Sequence, residues 1–215
     1  NRFIELMEFG LEEIIGRNID YLKIWESETA RNTFMETLER SGEIDNYRAK
    51  FINTKNNILD CLLSARIISY GNDEARLIIV QNITEILKTE EQLLLLSNAI
   101  EQAVEIVIIT DKSGKILYVN SAFEKTLGYP KEYVIGKFPN LLKSGYQASD
   151  YYEGLWNVIL SGNVWSGEII NKTMNNAYRN QELSITPIKN ADNEITHFVA
   201  VLRDITEFKQ ISEEK

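Results

Sequence analysis

The chain has 215 residues, 44% of them hydrophobic and 26% charged, with a formal net charge of −9. That balance is ordinary for a globular protein, and the acidic surplus argues against nucleic acid or an anionic membrane as partner, since both select basic patches. A single cysteine excludes an internal disulfide and no apolar run approaches the roughly 20 residues of a membrane helix, so the expected setting is cytoplasmic, without membrane contact in this stretch.

The sequence reads as two copies of one unit. Phe3 falls on Phe123, Gly16 on Gly136, Ser41-Gly42 on Ser161-Gly162 and Leu63-Ser64 on Leu183-Ser184, all at an offset of 120. Each copy closes in an apolar run, a polar stop and the start of a charged helix: Val80-Gln81-Asn82-Ile83-Thr84-Glu85 in the first, Val201-Leu202-Arg203-Asp204-Ile205-Thr206-Glu207 in the second. Nothing in the first copy matches Val107 to Asn120, so it is expected to lack its first two strands. Its helical region runs from Glu28 to Leu38, and Cys61 lies in an alternating, strand-like stretch that predicts a buried, inert thiol. The boundaries that follow are a first domain over 1–84, a connecting helix over 85–98, a complete domain over 99–206 and the start of an exit helix over 207–215.

Ile83 to Ala103 contains neither Gly nor Pro and is rich in good helix formers. Leu93 to Leu96 covers more than one helical face, and Ile86, Leu93 and Ile100 recur every seven residues. The expectation is one face packed on the second sheet and the other in a homodimer.

In the second copy, Ile106 to Thr110 and Ile116 to Val119 form a hairpin around Asp111-Lys112-Ser113-Gly114. Ser121 to Leu127 and Lys131 to Ile135 are short helices punctuated by Gly128, Pro130 and Gly136. A longer helix starts at Ser149 or Asp150, either of which can cap it, carries Tyr152, Leu155, Trp156 and Ile159 at helical spacing, and stops at Ser161-Gly162. Three strands follow, over Trp165–Asn171, Tyr178–Ile188 and Thr196–Leu202, with Leu183 and Ile185 alternating with Glu182, Ser184 and Thr186. Consecutive hairpins with helices gathered between them predict an α+β fold, an antiparallel sheet with helices on one side.

This order, with Gly128-Tyr129, Glu132-Tyr133-Val134-Ile135-Gly136-Lys137, Leu155-Trp156, Trp165-Ser166-Gly167-Glu168, Ile185-Thr186-Pro187-Ile188 and Asp204-Ile205-Thr206-Glu207, resembles the PAS family, strongly over 99–209 and more weakly over 1–88. The resemblance implies two five-stranded antiparallel sheets (the first truncated), each cupping a small ligand or cofactor. It also implies a homodimer formed through helices, and a signal passed along the exit helix to an effector beyond this stretch, such as a histidine kinase or a diguanylate cyclase. No catalytic or nucleotide-binding motif occurs in the chain, so the fragment itself is read as an input module and not an enzyme.

Over Leu142 to Ile188 the second copy is similar to PAS domains that bind flavin adenine dinucleotide (FAD), those of nitrogen-fixation and methane-oxidation regulators. Carried over, Trp156 would lie beside the isoalloxazine and Asn171 would hydrogen-bond its polar edge, with Tyr152 and Trp165 completing the site. An aromatic wall and an amide suit a flat ring with a donor–acceptor edge. The carboxylate that those relatives carry has no counterpart at Pro139-Asn140, which separates flavin binding from redox chemistry. A different small ligand, or a cofactor-free scaffold for dimerisation and protein interaction with Trp165 as a core anchor, are the alternatives.

A light-oxygen-voltage photosite would need a cysteine that neither Lys137 to Gly145 nor Arg17 to Trp25 contains, and haem would need a histidine between Ala148 and Leu160. His197, the only histidine, and Cys61 fall in different copies and cannot form a metal site. Asp204 and Thr206 are read as the relay that starts the exit helix. In the first copy Asn82 replaces Asp204, which predicts a looser hold, and no cofactor is expected there.

Overall fold

The computed structural model describes residues 2–17 and 22–213, so the expectation for Arg17 to Trp25 lies partly outside the described residues and the exit helix is described as far as Glu213. The chain divides into two compact units, Asn1–Leu93 and Leu94–Lys215.

The first unit opens with α1 (Arg2–Met7) and α2 (Leu11–Ile14), followed by α3 (Glu28–Ser41) and three strands, β1 (Glu43–Ile52), β2 (Ile58–Tyr70) and β3 (Asp73–Asn82). The strands pair antiparallel in chain order. Ser27 caps α3 by accepting from the Ala30 N–H, and Phe34 and Leu38, one turn apart, are its buried residues. They meet Ala49, Phe51, Cys61, Leu63 and Ala65 from the sheet, with Met7 fully buried from α1.

A single helix, α4 (Thr84–Glu101), follows β3. None of its residues is buried, and Leu93 to Leu96 are each at least 60% exposed. The expected packing of this leucine run on the second sheet is therefore not found. The run covers too wide an arc for a single contact face, and the helix makes its anchoring contacts at its ends.

The second unit comprises β4 (Ile106–Asp111), β5 (Ile116–Val119), α5 (Ser121–Leu127), α6 (Lys131–Val134), a 3₁₀ turn (Pro139–Leu142), α7 (Ser149–Leu160), β6 (Trp165–Lys172), β7 (Tyr178–Lys189), β8 (Ile195–Asp204) and α8 (Thr206–Glu213). Its five strands are antiparallel in the order β5-β4-β8-β7-β6. Their inward residues alternate as the pleat requires: Ile106, Ile108 and Thr110 on β4, Ile169 and Asn171 on β6, Gln181 and Leu183 on β7, Phe198 and Leu202 on β8 are all buried. Against them pack Phe123, Leu127, Val134, Leu155 and Ile159 from the helices. Both units are thus α+β layers, as the sequence predicts.

One detail differs. The residue before α7 is Ala148, with no side-chain cap, so Ser149 is the first helical residue and Asp150 only accepts from the neighbouring Tyr151 N–H. The helix begins one residue early enough that neither polar side chain stands at the capping position before it, and Asp150 satisfies a first-turn N–H from inside the helix instead.

Candidate functional site

The second unit encloses a cavity of about 280 Å³ between its sheet and α7. The floor is the inward face of the sheet: Ile108 and Thr110, Ile169 and Asn171, Leu183 and Ile185, and Phe198 to Leu202 at every second position. The roof is the stripe Tyr152, Leu155, Trp156 and Ile159 on α7, and the side wall is the segment from Phe138 to Lys143. That segment is tied down by backbone pairing of Lys143 with Asn171 across an isolated antiparallel bridge. A mostly apolar cavity with a few polar groups is the usual form of a small-molecule site.

Of the residues singled out in the sequence, three meet here. Trp156 is 36% exposed and stands at the mouth, perpendicular to Phe198 with ring centroids 5.9 Å apart. Its indole lies over Gly114 in the β4–β5 turn, where a Cβ would come within 2.8 Å of the ring and φ is +91°, so only glycine fits on both counts. Tyr152 has a buried hydroxyl with no hydrogen-bond partner among the described residues, and burial raises its pKa. Lys143 Nζ sits 3.9 Å from its ring centroid. Asn171 is 4% exposed and its Nδ2 donates to Gln181 Oε1 at 2.9 Å.

Trp165 is placed elsewhere. It lies on the same sheet face but beyond the cavity, edge-on to Tyr151 at 5.5 Å and above Gly167, where a Cβ would meet the indole at 2.7 Å. Tyr151 Oη in turn donates to the Glu168 carbonyl at 2.5 Å. This packing closes the end of the cup without lining it.

A PAS domain model matches residues 1–85 and 104–207, most of the chain. The chain belongs to the PAS family. It is 31% identical over 107 residues to a nitrogen fixation regulatory protein of Klebsiella oxytoca, a match covering 50% of this chain and 22% of that protein. A hybrid signal transduction histidine kinase of Dictyostelium discoideum is 31% identical over 116 residues, 54% of this chain and 6% of the kinase. Among solved structures, an RNA-binding light-oxygen-voltage receptor aligns over 98% of this chain and 94% of its own at 10% identity with a TM-score of 0.50, a likeness of fold alone. A PAS domain from Colwellia psychrerythraea aligns at 25% identity over 54% of this chain and 98% of its own, with a TM-score of 0.47. The chain thus spans less than a quarter of the length of these curated relatives.

The two PAS domains differ where the cavity of the second lies. The register confirms the repeat: Cys61 pairs with Ala49 and Asn82 in the first sheet as Gln181 pairs with Ile169 and Asp204 in the second. At the offset of 120, Phe51 takes the place of Asn171 and Cys61 that of Gln181. Phe51 meets Trp25 at 4.9 Å, Trp25 meets Phe34 at 5.4 Å and Phe34 meets Tyr47 at 5.2 Å, so rings of the domain itself occupy its centre. Burial pushes the Cys61 thiol up to about 11, which leaves it protonated and inert at neutral pH.

The exit motifs, by contrast, share their main hydrogen bonds. Asp204 Oδ1 accepts from Thr206 N at 2.9 Å and Thr206 Oγ1 at 2.5 Å, and Thr206 Oγ1 accepts from Asn180 N at 3.0 Å. In the first domain Asn82 Oδ1 accepts from Thr84 N and Oγ1 at 2.9 and 2.6 Å, and Thr84 Oγ1 accepts from Asp60 N at 2.9 Å. Asn82 keeps both bonds to Thr84 because its amide carbonyl accepts as a carboxylate oxygen does, whereas Asp204 adds an ion pair with Arg179 at 3.8 Å, the difference that a looser hold at Asn82 implies. The second exit helix also carries an ion pair of Lys209 with Glu168 on β6.

Two features were missed in the sequence. Gln181 is fully buried and in phase with the inward Leu183 and Ile185, a polar residue at a core position that alternation alone could have revealed. Glu101, the last residue of α4, gathers donors from three elements: Ser121 Oγ on α5, Tyr118 Oη on β5 at 2.5 Å and Lys131 Nζ on α6 at 2.9 Å. Ser121 foremost, then Tyr118 and Lys131, hold its carboxyl down to about 2. No periodicity marks such a cluster, because its members meet only in three dimensions.

Proposed function

We propose that the chain is the sensory input of a signal-transduction protein, in which the second PAS domain binds a flat heteroaromatic ligand, a flavin, and α8 carries the response to an effector. The observation that carries this reading is the apolar cavity with Trp156 at its mouth and Asn171 on its floor. Its volume of about 280 Å³ suits one fused ring system. The phosphates and adenine of FAD would lie outside, across Lys143, Ser149 and Asn157 in the adjoining cleft. In this arrangement Trp156 packs the ring, Asn171 serves its polar edge, and the neutral Pro139-Asn140 wall places no carboxylate beside it. β6, which carries Asn171, also carries Glu168, so a shift of this strand reaches α8 through Lys209.

The first PAS domain, filled by its own side chains, acts as a relay. A homodimer through the exposed leucines of α4 and an effector such as a histidine kinase or diguanylate cyclase complete the proposal. The exposed helix also supports the second reading, a cofactor-free scaffold whose purpose is dimerisation. An absorption spectrum of protein purified without refolding separates them. Flavin bands that weaken in Trp156→Ala and Asn171→Ala support the sensor, whereas a spectrum without them, unchanged after flavin is added, leaves the scaffold.

A further inference from the structure

The two sheets differ at one edge. In the second sheet β8 lies between β4 and β7, whereas its counterpart β3 ends the first sheet. The register identifies the counterparts: Leu63 pairs with Val80 and Ala65 with Ile78, as Leu183 pairs with Leu202 and Ile185 with Ala200. Among the described residues the outer side of β3 has no partner strand, while β1 and its counterpart β6 are edges of both sheets. Native proteins blunt an open edge with a short strand, a bulge, a proline or a charge. β3 is ten residues long, pairs with β2 without a register shift, and carries neither charge nor proline from Leu77 to Asn82. Arg76, in phase with the inward Ile78 and Val80, is engaged by Glu39 on α3 at 2.9 Å. Leu77 and Ile79 are 49% and 61% exposed, where the matching Val199 and Val201 are half-buried. The exposure continues onto α1. Phe3 is half-buried, whereas Phe123, at the same place on α5, is fully buried, and α5 packs on β4.

We infer that the β3 edge and the adjoining flank of α1 are a docking surface for a β-hairpin of the β4–β5 kind, supplied by the polypeptide directly ahead of α1. The second domain shows why a hairpin in this place fits both parts of the surface. There β5 leads through Asn120 into α5, and the Asn120 side chain ties strand to helix, accepting from Val107 N at 3.0 Å and Phe123 N at 3.3 Å. A second copy of β3 offers a strand without that connection and leaves α1 uncovered. The register also fixes the chemistry of the docked strand. β4 runs antiparallel to β8 with Ile106 opposite Leu202, Ile108 opposite Ala200 and Thr110 opposite Phe198. The strand docked on β3 therefore sets apolar side chains opposite Val80 and Ile78, and a polar or acidic one opposite Arg76. A slip by one residue would turn its apolar face to solvent.

The chain's own hairpin serves as the probe. Residues 104–120 are joined directly ahead of Asn1, the position on which Ser121 falls in the repeat, so that no linker is needed. Hydrogen exchange is followed over Leu77 to Val80. In the unextended chain it is expected to be fast and independent of protein concentration. The extension is expected to slow it at least about tenfold and to raise the melting temperature of the first domain. The same extension with Ile106→Lys and Ile108→Lys in the added copy is expected to do neither. Exchange unchanged by the extension overturns the proposal, and so does equal protection by the lysine-bearing extension. Protection in the unextended chain that grows with concentration also overturns it, by assigning the edge to a second copy. Should the extended chain fail to fold, the same hairpin added as a free peptide, with and without the lysines, decides on exchange alone.

Discussion

At the residue scale, the cavity depends on side chains whose neighbours permit only one arrangement. Gly114 is the clearest. Its φ of +91° and the 2.8 Å approach of Trp156 make Gly114→Ala costly by about 2 kcal/mol. Pairing it with Trp156→Ala should recover part of that loss in urea unfolding, since the indole is one of the two obstacles. Equal losses with and without the indole would show that backbone strain acts alone. Cys61 gives a second residue-level expectation: with its thiol raised to about 11 by burial, it should react with thiol reagents at neutral pH only as fast as the first domain opens. Trp156, Tyr152 and Asn171 were singled out through the resemblance to flavin-binding PAS domains, and all three line the cavity. The sequence did not reveal that Trp165 packs outside the cavity, because strand alternation assigns a face but not a position along it.

At the element scale, the helices that leave and join the domains are held by short polar clusters. The Asn82 and Asp204 clusters share their bonds to the following Thr, and Asp204 adds a long, partly exposed ion pair with Arg179, so Asp204→Asn should cost at most about 1 kcal/mol, whereas Thr206→Val should cost about 1 kcal/mol by removing the acceptor for Asn180 N. The Glu101 cluster fixes the start of the second domain. Its carboxyl lies near 2 in the folded chain against an ordinary 4.5, so it stabilises the fold above the ordinary value and loses that contribution as pH falls from about 4.5 toward 2. The stability difference between wild type and Glu101→Gln should therefore be full at pH 7 and vanish across that acid window in chemical denaturation. A difference independent of pH would assign the effect to packing. Strand order and helix order were readable from alternation and turn residues, since these are local. The Glu101 cluster and the start of α7 at Ala148 were not, because each is set by where neighbouring elements pack.

At the scale of the whole molecule, two copies of one fold have diverged in their centres while keeping their exits. Phe51 and Cys61 are buried in the first domain, where the second has Asn171 on the floor of a cavity and the buried Gln181 beside it. The helix between them, with no buried residue, presents Leu93 to Leu96 outward. If this surface joins two copies, Leu93→Glu with Leu96→Glu should convert a dimer to a monomer in sedimentation while leaving the melting of either PAS domain in place. The repeat itself was legible from spacing alone, but the difference between a filled and an open cup required the rings of Trp25, Phe34 and Phe51 to be seen in contact.

The stoichiometry of flavin binding tests that asymmetry most directly. Titration of riboflavin into the intact chain should saturate at one ligand per chain, and Trp156→Ala should abolish the site. Saturation at two per chain, or a single site that survives Trp156→Ala and is lost when Trp25 or Phe51 is replaced, would contradict the account by placing the ligand in the first PAS domain.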